Sequence, residues 1–334
     1  METVALQSEH LGEAAELFSA CYREERRLVP TLPPRHEANP RILELLIELA
    51  GRAPGVVALE GDRLRGYLLG MALPSFEGTR PGVYCPIWAH AVAGEGPARA
   101  AVYQQMYAHL SREWLARGWL AHAITIYAQD SPAVDAWFRS GFGLLTVDAI
   151  RGLEPLPIRG RPGPEEPDLE IRPAAAADAG RIRPLVQGLI DHLADAPIFY
   201  PPRPAPGEAG LAEWLTQPGQ RYWLALRVGV AVGYIRTQPP QPDVAYVVHD
   251  PGTISITGAF VRPSDRGQGV ATALLAQVLA EARATGYARC SVDFESRNAL
   301  GSRFWLRHFE PVCYSLLRRV DERILPVGSQ HADA

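Results

Sequence analysis

The sequence predicts an α/β fold of mixed α+β type arranged as two tandem domains, and three observations carry that expectation. The chain has 334 residues, more than one ordinary domain holds. Residues 153–168 put five prolines and two glycines into sixteen positions, which excludes a helix and buries little, so this stretch reads as an extended linker. On either side of it one succession of strand and helix patterns recurs at an offset of about 167 residues. The expected division is 1–152, the linker 153–168, 169–322 and a tail over 323–334.

Each element has a local reason. A strand over 4–6 and a helix through Ala20 are matched by a strand over 169–173 and a helix through Leu193, the second opened by Asp178 as a cap. A helix over 40–50 is matched by one over 206–217. The hairpin over 56–73 turns at Gly61 and Asp62, and its counterpart over 221–237 turns near Gly229. A strand over 84–92, a helix over 97–117, a strand over 121–128 and a helix over 132–140 complete the first half. In the second half a strand over 243–249 ends at His249 and Asp250, where Asp-Pro-Gly favours an ordinary hairpin turn over a catalytic dyad. An apolar strand over 254–261 follows. The next helix carries Leu274, Leu275, Val278, Leu279 and Ala282 on one stripe and stops at Thr285-Gly286. An alternating strand over 290–294 then leads to Asn298, which opens a helix bearing Phe304 and Trp305.

Composition narrows the function classes. The net charge of -4 gives no nucleic-acid footprint. No lysine occurs, all 33 cationic side chains being arginine, which excludes Schiff-base chemistry and a Walker-type phosphate lysine. Cys21, Cys85, Cys290 and Cys313 are far apart, with no spacing for zinc or a redox couple, so buried reduced thiols and no metal are expected. The first ten residues have neither a basic start nor an apolar run, and no stretch approaches about 18 apolar residues. A soluble cytoplasmic protein without membrane contact is expected, and the sequence is silent on oligomeric state.

The segment Arg266-Gly267-Gln268-Gly269-Val270-Ala271 lies between the strand over 254–261 and a long amphipathic helix. Glycines let the main chain approach a ligand closely, and a helix start offers unsatisfied N–H groups and the positive end of its dipole. This reads as a cradle for an anionic, phosphate-bearing ligand.

At these residues the sequence resembles the GNAT acyltransferase family, whose signature is Arg or Gln, two residues, Gly, one residue, then Gly or Ala. Arg266, Gly269 and Ala271 fill those places, Val261 and Pro263 match the strand end, and Asn298 and Phe309 match the head and the follower of the last main helix. The resemblance covers nearly all of 169–320 and, more weakly, 3–152. It implies two GNAT-like domains, each a mixed, mostly antiparallel sheet flanked by helices. It also implies acetyl-CoA or another acyl-CoA as co-substrate, held by Phe260, Val261, Arg266, Gly267, Gln268, Gly269, Val270, Ala271, Thr272, Asn298 and Trp305. In the family the pantetheine arm lies in a wedge beside the strand ending at Val261, a main-chain N–H there polarises the thioester carbonyl, and the amine attacks directly in a ternary complex.

The resemblance also assigns catalytic positions. Asp293 stands five residues before Asn298, where ribosomal-protein alanine N-acetyltransferases carry a glutamate base. Trp305 stands where many members have the tyrosine that protonates the departing thiolate, and indole cannot serve as that acid. Tyr314 on the following strand is the substitute from this chain, with water the other option. His192, between Asp191 and Asp195, reads as a solvated helix end beside the loop where the family forms its acceptor pocket. In the first half, Pro97, Ala100 and Val102 stand against Arg266, Gly269 and Ala271, and Glu95 brings negative charge, so that half is expected to be a degenerate copy. The function expected is an acyl-CoA-dependent N-acetyltransferase acting on a small-molecule amine or a protein N-terminus. The alternative is a non-catalytic acyl-CoA sensor or scaffold.

Overall fold

The computed structural model describes residues 1–38, 40–75, 80–156, 168–240 and 245–324. In chain order the first half forms β1 (Glu2–Ala5), α1 (Leu11–Leu28), α2 (Arg41–Ala50), β2 (Gly55–Glu60), β3 (Arg63–Leu69), β4 (Met71–Leu73), β5 (Gly82–Cys85), β6 (His90–Val92), α3 (Gly96–Ala116), β7 (Ala121–Tyr127), α4 (Ser131–Arg139) and β8 (Gly143–Gly152). The second forms β9 (Leu169–Pro173), α5 (Ala179–Ala194), α6 (Glu208–Thr216), β10 (Arg221–Arg227), β11 (Val230–Gln238), β12 (Thr253–Val261), α7 (Val270–Ala284), β13 (Arg289–Glu295), α8 (Ala299–His308) and β14 (Glu310–Arg319). The mixed α/β class read from the sequence is the class observed. Most of the proline-rich segment lies outside the described residues.

The chain divides into two compact units, but not at 152/169. Unit 1 comprises 1–147, 245–247 and 311–334, and unit 2 comprises 148–244 and 248–310. The cause is an exchange of last strands. β14, from the end of the chain, pairs antiparallel with β7 in unit 1, from Cys313 opposite Tyr127 to Arg319 opposite Ala121. In unit 2, β13 has β8 as its outer neighbour.

In unit 1, β1, β2, β3 and β6 form an antiparallel group, while β5 runs parallel to β7. The expected single strand over 84–92 is broken, because Pro86 cannot donate to a ladder and residues Ile87–Ala89 turn as a 3-10 helix. The core gathers Trp114, Trp137, Tyr107 and Leu110 from α3 and α4, with Leu316 from β14. The expected strand over 243–249 is not formed where it is described: Tyr246–Val248 is a 3-10 turn, and 241–244 lie outside the described residues. Asp250 is structural, its Oδ1 accepting from Gly252 N and Arg289 Nη1, both at 2.8 Å.

Two buried histidines give unit 1 an acid sensitivity. His90 Nε2 lies 2.8 Å from Thr125 O, and His122 lies between Tyr107 Oη (2.9 Å) and Trp119 O (3.0 Å). Burial pushes both imidazoles down to about 4. The fold therefore holds them neutral while the unfolded chain takes up protons from about pH 6.5 downward. Their contribution is complete above about pH 6.5 and is lost as pH falls toward 4, on the order of 3 kcal/mol per histidine. Amide hydrogen exchange at pH 7 and pH 4.5 checks this, with falling protection of β7 and α3 expected; constant protection contradicts it.

In unit 2 the order is β8, β13, β12, β11, β10, β9, with β9 to β12 antiparallel and β12 parallel to β13. Ile182, Leu185 and Val186 of α5 pack with Leu211 of α6 and with Tyr222, Leu224 and Tyr234 of the sheet. Among the described residues no helix is long and apolar enough to cross a membrane, and no group of three or more His, Cys, Asp or Glu is placed to hold a metal ion.

Candidate active site

The site begins with a strand that leaves its neighbour. β12 and β13 pair in parallel only from Thr253 opposite Arg289 to Ile256 opposite Val292. Against β11, Thr237 faces Ile256 and Arg236 faces Gly258, so Thr257 is an extra residue, a bulge. Arg236 fastens it, donating from Nε to Thr257 Oγ1 (2.9 Å) and from Nη2 to Thr257 O (2.7 Å). A bulge bends and twists its strand. Beyond it β12 follows β11 alone to Val261 while β13 continues to Glu295, and the two strands part.

At the end of β12 the chain tightens. Arg262 N donates to Val232 O (2.9 Å), Pro263–Asp265 make a 3-10 turn, and Arg266 Nε returns to Val261 O (3.0 Å). The Arg266 guanidinium lies 5.5 Å from the centroid of the Phe260 ring. Gly267 and Gly269 have φ of 76° and 78°, the left-handed region that a side chain resists. Arg227 on β10 braces the turn, donating to Asp265 (2.9 Å) and Gln268 Oε1 (2.5 Å). The first helical bond of α7 is Ala273 N to Gly269 O (2.9 Å). Among the described residues, outside the bonds internal to the helix, no close, well-aligned main-chain bond is made by the N–H groups of 267–272. This run of N–H groups stands at the positive end of a helix.

These donors face a cleft of about 660 Å3 within unit 2. Its lining includes Phe260, Val261, Arg266, Gly267, Gly269, Val270, Ala271, Thr272, Asn298 and Trp305. Gln268, expected with them, instead turns its side chain to Arg227 and to Ser264 O (3.0 Å). Asn298 caps α8, its Oδ1 accepting from Gly301 N (3.1 Å). Trp305 is buried between Phe304 and Phe309, an apolar wall with no acid. Gly188 of α5 matters by its bareness: a Cβ there would lie 2.7 Å from Phe260 Cζ, so a larger residue would displace that ring from the cleft wall.

The two expected catalytic residues are elsewhere. Tyr314 belongs to β14, opposite Ile126 in unit 1, and packs on that unit's core. The strand exchange takes it there. Asp293 is exposed on β13 and is not among the cleft-lining residues. By strand alternation it shares a face with Glu295, whose Oε1 accepts from Tyr200 Oη (2.7 Å) and whose Oε2 is 3.1 Å from Arg297. The sequence reading set His192 aside, yet it lines the cleft with Leu189 and lies 3.2 Å from Asn298 Oδ1. The spacing from Leu189 to His192, three residues on one helix face, was the available signal.

In unit 1 the start of α3 is held by side-chain contacts. Arg99, in the first turn of α3, donates to Val92 O and Gly94 O and pairs with Asp130 at 2.6 Å, both side chains nearly buried. Asp130 caps α4 as Asn298 caps α8, and His90 reaches Thr125 O on β7.

A family model described as "Acetyltransferase (GNAT) family" matches residues 187–309, from α5 through α8. A GCN5-related N-acetyltransferase from Sphaerobacter thermophilus is 16% identical with a TM-score of 0.55, over 95% of each chain. A GCN5-related glucosamine N-acetyltransferase region of a fungal multi-domain GH3 β-N-acetylglucosaminidase is 10% identical with a TM-score of 0.51, over 95% of this chain and 38% of that one. At these identities the likeness establishes the fold. No curated protein matches the sequence. The family match is confined to residues 187–309, and the likeness over the rest of the chain is one of fold.

Proposed function

We propose that unit 2 transfers an acyl group, acetyl by default, from acyl-CoA to a primary amine by direct attack within a ternary complex. The observation that carries this is the run of N–H groups over 267–272, at a glycine turn and helix start, at the head of an open cleft. These amides suit the pyrophosphate of acetyl-CoA, at roughly 1.5–3 kcal/mol per charge-assisted bond before ordering costs. Micromolar affinity needs about 8 kcal/mol in all. The parting of β12 from β13 suits the pantetheine arm, Phe260 and Trp305 wall it, and Asn298 stands at its lip. The main-chain N–H near Val261 serves as the donor to the thioester oxygen.

An amine must lose its proton to attack. With a pKa near 10.4 only about one alkylamine in a thousand is neutral at pH 7, a cost of roughly 4–5 kcal/mol. Asp293 acting through water and His192 lining the cleft are the two candidate acceptors. No side-chain acid is required for departure, since a thiolate is a tolerable leaving group. Trp305 therefore weakens the enzyme reading less than its contrast with tyrosine implies. The acceptor is a small-molecule amine or a protein N-terminus, and a cytoplasmic setting goes with acyl-CoA supply. Unit 1 is read as a degenerate copy with a structural role, its ligand place taken by Arg99, Asp130 and His90.

The test is thiol release from acetyl-CoA across a panel of primary amines. Amine-dependent release is expected. Binding of acetyl-CoA without release for every amine contradicts transfer and favours the sensor reading.

A further inference from the structure

His192 and Leu189 project from one face of α5 into the cleft. Asn298 Oδ1 accepts from Gly301 N, which identifies that atom as the amide oxygen, and His192 Nε2 lies 3.2 Å from the same oxygen. An oxygen only accepts, so Nε2 is the protonated nitrogen of the neutral ring and Nδ1 keeps the lone pair. Among the described residues nothing donates to Nδ1. The ring is half-buried, open to a small molecule yet oriented by Asn298.

Charged groups stand around the ring. His192 lies in the last turn of α5. Asp191 and Asp195 flank it on its own element. Across the cleft stand Asp265, tied to Arg227, together with Arg266 and Arg307. On β13, Glu295 is engaged by Tyr200 and Arg297. An imidazolium formed here keeps its bond to Asn298, because Nε2–H is present in both protonation states.

We propose that His192 is the catalytic base of the transfer, with Asn298 its positioning residue; this rests on the acyl-transfer reading. The amine nitrogen forms a bond to the thioester carbonyl carbon, and the carbon–sulfur bond breaks with its electron pair leaving on sulfur. The amine proton passes to Nδ1, and the CoA thiolate takes a proton from solvent. One structural element thus both caps α8 and fixes the tautomer that makes His192 competent.

Two measurements test this. Two-bond 1H–15N correlation on the protein without acyl-CoA reads the tautomer, and the Nε2–H form is expected; an Nδ1–H form overturns the proposal whatever the activity. Kinetics then use acetyl-CoA and whichever panel amine gives the fastest thiol release. With both amine and imidazole required neutral, log kcat/KM rises with slope two at low pH in the native protein and slope one in His192→Gln, with kcat lowered about 10²- to 10³-fold. An unchanged slope and rate in His192→Gln, or loss of one proton from the slope in Asp293→Asn instead, sinks this proposal alone. Failure of every amine to release thiol sinks the transfer reading and this proposal with it.

Discussion

Gly269→Glu is expected to abolish acetyl-CoA binding by calorimetry, a loss of at least about 100-fold, while unit 2 keeps its fold. Two effects add. The side chain enters the space that the pyrophosphate needs against the N–H groups of 267–272, and its carboxylate repels the phosphates. Two lost charge-assisted bonds at about 1.5 kcal/mol or more each already exceed a factor of 100. Gly269 has φ 78°, so any side chain there also costs about 1–2 kcal/mol of stability. Gly269→Ala separates the effects, since it carries the backbone cost without the charge and should lose less affinity at similar stability. Equal affinity of Gly269→Glu and the native protein would mean that the loop does not hold the phosphates.

A chain ending at Phe309 is expected to lose the fold of unit 1, although residues 1–152 are intact. β7 is then left without β14, and the seven register pairs from Cys313 to Arg319 disappear. Val312, Cys313 and Leu316, each with no exposed surface, leave the core. At roughly 1.5–3 kcal/mol per fully buried apolar side chain the loss is about 5 kcal/mol or more, comparable to the whole stability of a domain. Loss of hydrogen-exchange protection in β5 and β7 is the readout. Native protection in the shortened chain would show that unit 1 does not depend on β14.

What was legible in the sequence follows local physics. The loop over 266–272 could be read because glycines before an amphipathic helix leave few conformations. Hairpins over 56–73 and 221–237 could be read because alternation and Gly61 or Gly229 mark them. Partner choice could not. β8 and β14 carry similar patterns, and nothing within a strand states which edge it joins, so the exchange, and with it the place of Tyr314, was hidden. The break at Pro86 had a signal, a proline inside a strand pattern. His192 was set aside because a histidine near acidic residues at a helix end is usually solvated; only the fold brings Asn298, 106 residues away, to its Nε2. The pairing of Arg99 with Asp130, 31 residues on, likewise has no local sequence signal.

The central claim is that main-chain amides in unit 2 grip the nucleotide end of acyl-CoA and that unit 1 cannot. A crystal structure of the protein soaked in millimolar acetyl-CoA tests it most directly. The expected result is pyrophosphate density against the N–H groups of residues 267–272, with none near Gly94. Density beside Gly94 alone, or no bound acetyl-CoA in either unit, would contradict it.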